Sequence, residues 1–313
     1  MVYHFKKRYA GVVIMANNRV GIFGLGAMGF GMAGALHRAG LTVHGFDVNQ
    51  GAVTRFQAAG GAPGDVATVA ATLDAVIVVV VNGAQTEAVL FGTGGIAAQM
   101  AKGAVVVACA TMAPALARDL AQRCADLGLL YLDAPVSGGT FRAADGELSI
   151  LASGNPEAFA KARPALDAMA SKVFELGDAA GAGSSMKAIN QMLVGVHIAA
   201  MAEAMTFGMT QGVSPAQFLD VIPQCAGTSW ALESRGPHVR DGDYTPLSAV
   251  DIWPKDLGIV LEIAQSEKFG APITAAALQQ FMAASGSGLG REDDAAVAKV
   301  YARNAGLTLP ERT

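Results

Sequence analysis

Lys187, Asn190 and Gln191 stand at i, i+3 and i+4 of one apolar stretch, so a helix there puts an amine and two carboxamides on a single face. A neutral amine within hydrogen-bond reach of a hydroxyl can take its proton while hydride leaves the same carbon. Such a role asks for about 3 kcal/mol of destabilisation of the ammonium, lowering a pKa of about 10.4 to about 8; burial and a neighbouring positive charge both act in that direction. The same lysine, near a helix end, can instead carry its amine out to solvent. A second group, Asp133-Ala134-Pro135-Val136-Ser137-Gly138-Gly139, follows a strand-like run. Its serine hydroxyl and the N–H groups of Gly138 and Gly139 can hold a carboxylate, unless the segment is an ordinary glycine-rich loop.

The third group is Gly24-Leu25-Gly26-Ala27-Met28-Gly29, a G-x-G-x-x-G placed after a predicted strand and at the start of a predicted helix, Phe30 to Ala39. Gly24 suits the tight turn, Gly26 admits a pyrophosphate to the backbone, Gly29 lets helix and strand pack closely, and free N–H groups at the helix start face the anion. Asp47 ends the next predicted strand, where its carboxylate can accept from an adenosine ribose. Its charge repels a 2′-phosphate and Val48, Asn49 and Gln50 offer no cation, so NAD is expected over NADP; the alternative is a solvated turn aspartate. Lys255-Asp256-Leu257 is a common surface pairing and says little by itself.

These groups need elements to hold them. Val20–Phe23, Val43–Phe46, Ala75–Val81, Val105–Ala108 and Leu130–Asp133 are short β-branched runs alternating with alanine-rich helical stretches, as in βαβ units of a parallel sheet. Unbroken apolar runs such as Ala75–Val81 imply strands covered on both faces, hence an α/β, doubly wound Rossmann fold. After Gly177 the periodicity becomes helical. The expected organisation is an extension over 1–18, a dinucleotide-binding domain over 19–182, an interdomain helix over 183–212 capped by Ser184 or Ser185, and a helical domain over 213–313.

Composition narrows the partners. With 313 residues, 52% of them hydrophobic, the chain can bury two cores. Lys+Arg 22 against Asp+Glu 26 leaves no cationic field for a nucleic acid. Cys109, Cys124 and Cys225 lack disulfide or zinc-ligand spacing, which suits a reducing cytoplasm and no metal. Lys6, Lys7 and Arg8 ahead of Ala10–Ala16 faintly imitate a signal peptide, but an unstructured extension is the simpler expectation. Ala188–Met209 approaches membrane-spanning length, yet Asn190, Gln191, His197 and Glu203 within it favour a helix buried in protein.

Together these motifs give the chain, from Arg19 to Ala305, a resemblance to the 3-hydroxyisobutyrate dehydrogenase family of β-hydroxyacid dehydrogenases, relatives of 6-phosphogluconate dehydrogenase. The resemblance implies that Gly24 to Ala33, including Leu25, Ala27 and Met28, bind NAD(P). It implies further that Ser137, Gly138 and Gly139 bind substrate and that Lys187 and Asn190 are catalytic. Asn82 and Thr111 would line the nicotinamide end, while Lys255, at the cofactor, and Asp256, at the substrate, would close the site from the helical domain. Ala110 departs from the Ser or Cys usual there. Relatives assemble as homodimers or homotetramers. The segments Gly195–Ala200 and Gly242–Ile252 resemble members acting on L-threonate, where Ser248 replaces an aromatic residue of other members and would suit a substrate with several hydroxyls; alternatively Ser248 only shapes a turn. The expected reaction is oxidation of a small hydroxy acid, L-threonate to its 2-oxo acid, with 3-hydroxyisobutyrate oxidation or tartronate semialdehyde reduction as alternatives. A non-catalytic NAD-binding protein on the same fold is the reading from another class.

Overall fold

The computed structural model describes residues 18–312; the expected extension and its signal-like segment fall, except for Asn18, outside the described residues. The first lobe runs β1 (Arg19–Phe23), α1 (Ala27–Arg38), β2 (Thr42–Phe46), α2 (Gln50–Ala58), α3 (Val66–Val69), β3 (Ala75–Val78), α4 (Gly83–Phe91), β4 (Val105–Ala108), α5 (Pro114–Asp126) and β5 (Leu130–Asp133). All five strands are parallel in the order β2-β1-β3-β4-β5. Side chains alternate between two apolar clusters: Ala75, Ile77, Val105 and Val107 point into one, Val76, Val78, Val106 and Ala108 into the other. This is why those runs are apolar without a break: each strand has helices on both faces.

β3 is shorter than its apolar run suggests. Pairing with β1 stops at Phe23 and Val78, Val79 N donates to Phe23 O, and the chain then turns away, leaving Val81 60% exposed. Conversely α1 starts earlier than expected, with Gly26 at its N-cap, so Ala27, Met28 and Gly29 form its first turn. A second, smaller sheet went unread in the sequence: β6 (Val136–Ser137) lies antiparallel to β7 (Leu148–Ala152), and β8 (Ala170–Glu175) parallel to β7, with α6 (Gly139–Asp145) and α7 (Pro156–Met169) between them. Two-residue β6 and the half-exposed β8 carry too little apolar alternation to announce themselves.

α8 (Ala182–Thr210) crosses into a lobe made only of helices: α9 (Pro215–Val221), α10 (Trp230–Asp241), α11 (Ile252–Ser266), α12 (Pro272–Ala284) and α13 (Ala298–Asn304). Its length and apolarity would allow it to span a bilayer. Instead Ile198, Met201, Ala202 and Met205 enter the lobe's core with Leu232, Leu257 and the stacked rings of Trp253 and Phe281, 5.5 Å apart. Neither Ser184 nor Ser185 caps it: its N-cap is Gly181, both serines lie inside the first turns, and the Ser184 hydroxyl is used elsewhere. The Lys255-Asp256-Leu257 segment lies within the first two turns of α11.

Candidate active site

The expected cofactor groups of the first lobe, the glycine turn, Asp47, Asn82 and Thr111, sit beyond the carboxyl ends of β1 to β4, the edge where open α/β sheets bind ligands, while Lys255 comes from α11. Gly24 has φ +96°, and a Cβ there would lie 2.1 Å from Val79 O; a Cβ on Gly29 would lie 1.9 Å from Gly24 O. Both positions therefore exclude any side chain. Gly26 differs, since a Cβ there meets nothing within 4 Å. The first turn of α1 carries no acidic residue and no side-chain cap, so its N–H groups face that open space. Asp47 accepts from Leu25 N at 2.6 Å and from Asn49 N at 2.7 Å, which fixes its carboxylate at the lip of the glycine turn. A pyrophosphate over Gly26 and a ribose beside Asp47 fit this arrangement. Asn82 caps α4 by accepting from Gln85 N, and half-buried Thr111 lies between β4 and α5.

Asp133 organises the second group, a role its place in the motif did not reveal. It is fully buried at the end of β5. One oxygen, Oδ2, accepts from Gly181 N at 2.9 Å and Ser184 N at 2.8 Å, and Oδ1 accepts from the Ser184 hydroxyl at 2.6 Å. Asp133 is thus the cap that α8 lacks in its own sequence, and its negative charge lies at the positive end of the helix dipole. Burial raises its pKa above the ordinary carboxylate value, against the pull of these donors. Four residues on, Ser137 is half-buried while Gly138 and Gly139 are exposed. The same short strand-turn therefore roots the carboxylate-binding candidates and fastens the helix that carries Lys187.

Lys187 is 8% exposed and makes no hydrogen bond or ion pair with any described residue. Burial, with Lys255 adding like-charge repulsion and Asp256 opposing both, brings its pKa down to about 8. On the same face Asn190 Nδ2 donates to Gln191 Oε1 at 2.9 Å, and Gln191 Nε2 donates to Asp256 Oδ2 at 2.5 Å. Asp256, expected at the substrate, is only 2% exposed, and its other oxygen lies 2.8 Å from Lys255 Nζ. Lys255 Nζ in turn donates to Val81 O at 2.7 Å, reaching from α11 to the turn that carries Asn82. Asn190, Gln191, Asp256 and Lys255 are thereby joined in one chain of contacts that crosses the junction of the lobes to Val81, the neighbour of Asn82; Lys187 shares the helix face of Asn190 and Gln191 but bonds to none of them. Gln191, visible in the sequence only as a polar i+4 neighbour, belongs to this chain of contacts.

Ser248 is half-buried in the loop before α11, and its carbonyl accepts from Asp294 N at 2.8 Å. Its hydroxyl has no hydrogen-bond partner among the described residues. The loop is braced by a buried cluster that the sequence did not suggest: Arg235 Nε pairs with Asp294 Oδ1 at 2.7 Å, Trp253 Nε1 donates to Asp294 Oδ2 at 2.9 Å, and Leu247 N donates to Asp293 Oδ2 at 2.8 Å. No cluster of His, Cys, Asp and Glu able to hold a metal ion occurs among the described residues.

Residues 19–177 match the family model of the NAD binding domain of 6-phosphogluconate dehydrogenase, and residues 181–301 that of NAD-binding of NADP-dependent 3-hydroxyisobutyrate dehydrogenase. The chain is 52% identical over 295 residues to L-threonate dehydrogenase of Cupriavidus necator, covering 94% of this chain and 98% of that one. It belongs to the 3-hydroxyisobutyrate dehydrogenase family. This member of the family is also 36% identical to 3-hydroxyisobutyrate dehydrogenase of Pseudomonas aeruginosa, over 84% of this chain and 90% of that one. The crystal structure of 3-hydroxyisobutyrate dehydrogenase from Salmonella typhimurium superposes with a TM-score of 0.83 at 46% identity, over 90% of this chain and 99% of that chain. The expected α/β fold with a helical second half is therefore confirmed, and the protein is an NAD-dependent oxidoreductase acting on the CH–OH group of a hydroxy acid. Imine reductases share the fold at lower identity: that of a Pseudomonas species is 22% identical with a TM-score of 0.62.

Proposed function

We propose that this dehydrogenase oxidises L-threonate at its C2 hydroxyl, producing the 2-oxo acid, NADH and a proton. The observation that carries the reading is the buried Lys187 amine, without a protein partner and with its pKa lowered to about 8, at the junction of the lobes. NAD bound over the glycine turn supplies the hydride acceptor. Ser137, Gly138 and Gly139 hold the substrate carboxylate, neutral Lys187 Nζ accepts the C2 hydroxyl proton as the C–H bond breaks, and Asn190 orients the substrate. Asn82, Thr111 and Lys255 position the nicotinamide end, and Asp47 takes the ribose. Asp256 acts through Gln191 and Lys255, since neither of its oxygens faces outward. Five L-threonate dehydrogenases lie between 44% and 52% identity to the chain, and Ser248 keeps a hydroxyl free for a polyhydroxylated substrate.

Following NADH absorbance with L-threonate, 3-hydroxyisobutyrate and related hydroxy acids, and NADH consumption with tartronate semialdehyde, tests the assignment. L-Threonate should give the highest kcat/KM; a clear preference for 3-hydroxyisobutyrate would move the protein to that activity. The domain division at 182/183 and 212/213 remains part of the same reading. So does a homodimer or homotetramer, supported by Met186, Ile189, Leu193 and Phe207, which leave an exposed apolar stripe along α8. Three free cysteines, two of them buried, support residence in a reducing cytoplasm.

A further inference from the structure

We propose that Asp256 and Gln191 form a directional hydrogen-bond relay that fixes the Asn190 side chain as an acceptor toward the cleft. Asn190 thereby selects substrates with a hydroxyl beyond the one oxidised. The inference rests on the cleft being the active site described above.

The direction follows from what each group can do. Asp256 is buried beside Lys255 Nζ, 2.8 Å away, and an ionised carboxylate only accepts. The Gln191 group 2.5 Å from Asp256 Oδ2 must therefore be its NH2, so this carboxamide cannot invert. Its oxygen then faces Asn190 and only accepts, so the Asn190 atom 2.9 Å away must be Nδ2. Inverting Asn190 would set two carbonyl oxygens against each other at that distance. What remains is Asn190 Oδ1, which accepts from no described residue, Lys187 included. The hydroxyl undergoing oxidation gives its proton to Lys187 and cannot also donate to Asn190. A second hydroxyl can, whereas a hydrogen or methyl in its place leaves a half-buried acceptor unmet, and sites built to bond a substrate hydroxyl reject the analogue lacking it strongly. The relay acts on geometry from behind: Asp256 and Gln191 touch no substrate and are positioning residues, and Asn190 makes the contact.

The test compares kcat/KM for L-threonate with that for its 3-deoxy and 4-deoxy counterparts of the same C2 configuration. In the wild type one deoxy compound should be disfavoured by about 100-fold or more. Gln191→Leu frees the Asn190 amide to invert and should shrink that preference to within about 10-fold. Asp256→Asn, which can present either polarity to Gln191 in the same volume, should shrink it too. Gln191→Glu still accepts from Asn190 Nδ2 and should retain the preference even as both absolute rates fall. A merely structural role would lower both substrates in parallel in all three variants and would overturn the relay, as would a wild type that accepts both deoxy compounds as readily as L-threonate. If the wild type ignores L-threonate but oxidises another hydroxy acid with several hydroxyls, only the substrate reading fails and the comparison is made on that acid and its deoxy partners; a preference for a substrate with a single hydroxyl, such as 3-hydroxyisobutyrate, would overturn the relay. Absence of turnover with every hydroxy acid would overturn both.

Discussion

An amine that must be neutral to work is costly to bury, and Lys187 makes that cost measurable. With its folded pKa near 8 against an ordinary 10.5, the ammonium is disfavoured by about 3 kcal/mol in the folded state. The sign is that of a depressed lysine: the penalty is complete below pH 8, where both states are charged, shrinks as pH rises from 8 to 10.5, and is gone above. Lys187→Met should therefore abolish oxidation while raising unfolding free energy by up to about 3 kcal/mol at pH 7, a gain that urea melts at pH 11 should no longer show. For the wild type, kcat/KM for oxidation should climb tenfold per pH unit and level off near pH 8, and the reverse reduction, which needs the ammonium as acid, should fall above it. A flat profile between pH 6 and 9 would remove Lys187 from the proton transfer. The spacing of Lys187, Asn190 and Gln191 was legible because a helix has one period. Whether the amine ended in water or in the core was not, because what packs against that stretch of chain, α11 with its Lys255 and Asp256, comes from some seventy residues further on.

At the scale of elements, the glycine turn and the start of α8 separate what local sequence encodes from what it does not. Gly26 and Gly29 look alike in the motif but should fail differently. Gly29→Ala drives a Cβ into Gly24 O and should destabilise the fold by several kcal/mol, whereas Gly26→Ala should melt like the wild type yet bind NAD at least about tenfold more weakly, because only the ligand occupies that space. Thermal melts beside NADH fluorescence titrations read both quantities. Five strands of the large sheet and the helix after β1 were legible from periodicity and glycine placement. The cap of α8 was not: two serines stood where a local rule looks for one, while the donors of that helix end are met by Asp133, some fifty residues earlier. A buried acidic residue ending an apolar strand was the available signal, since such a group must find donors somewhere. Asp133→Ala should cost about 3 kcal/mol in urea unfolding, leaving Gly181 N, Ser184 N and the Ser184 hydroxyl without an acceptor.

For the molecule as a whole, composition and the change of periodicity near Gly177 foretold two lobes, but not what joins them over the site. Lys255 does this twice, donating to Val81 O of the first lobe and pairing with Asp256 in its own. Its charge also weighs on Lys187, lowering that pKa where Asp256 raises it. Removing either member of the pair must then move the activity profile in opposite directions. In Lys255→Met the repulsion disappears and the carboxylate is left facing Lys187 alone, so the rise of oxidation should shift above pH 8, with NAD held less tightly as the tie to the β3–α4 turn is lost. In Asp256→Asn the attraction disappears while Lys255 remains, so the rise should shift below pH 8. Profiles of kcat/KM for the two variants, recorded with the same substrate and saturating NAD, decide the matter: shifts of the same sign would mean that distortion of α11, rather than charge carried across the cleft, governs the amine.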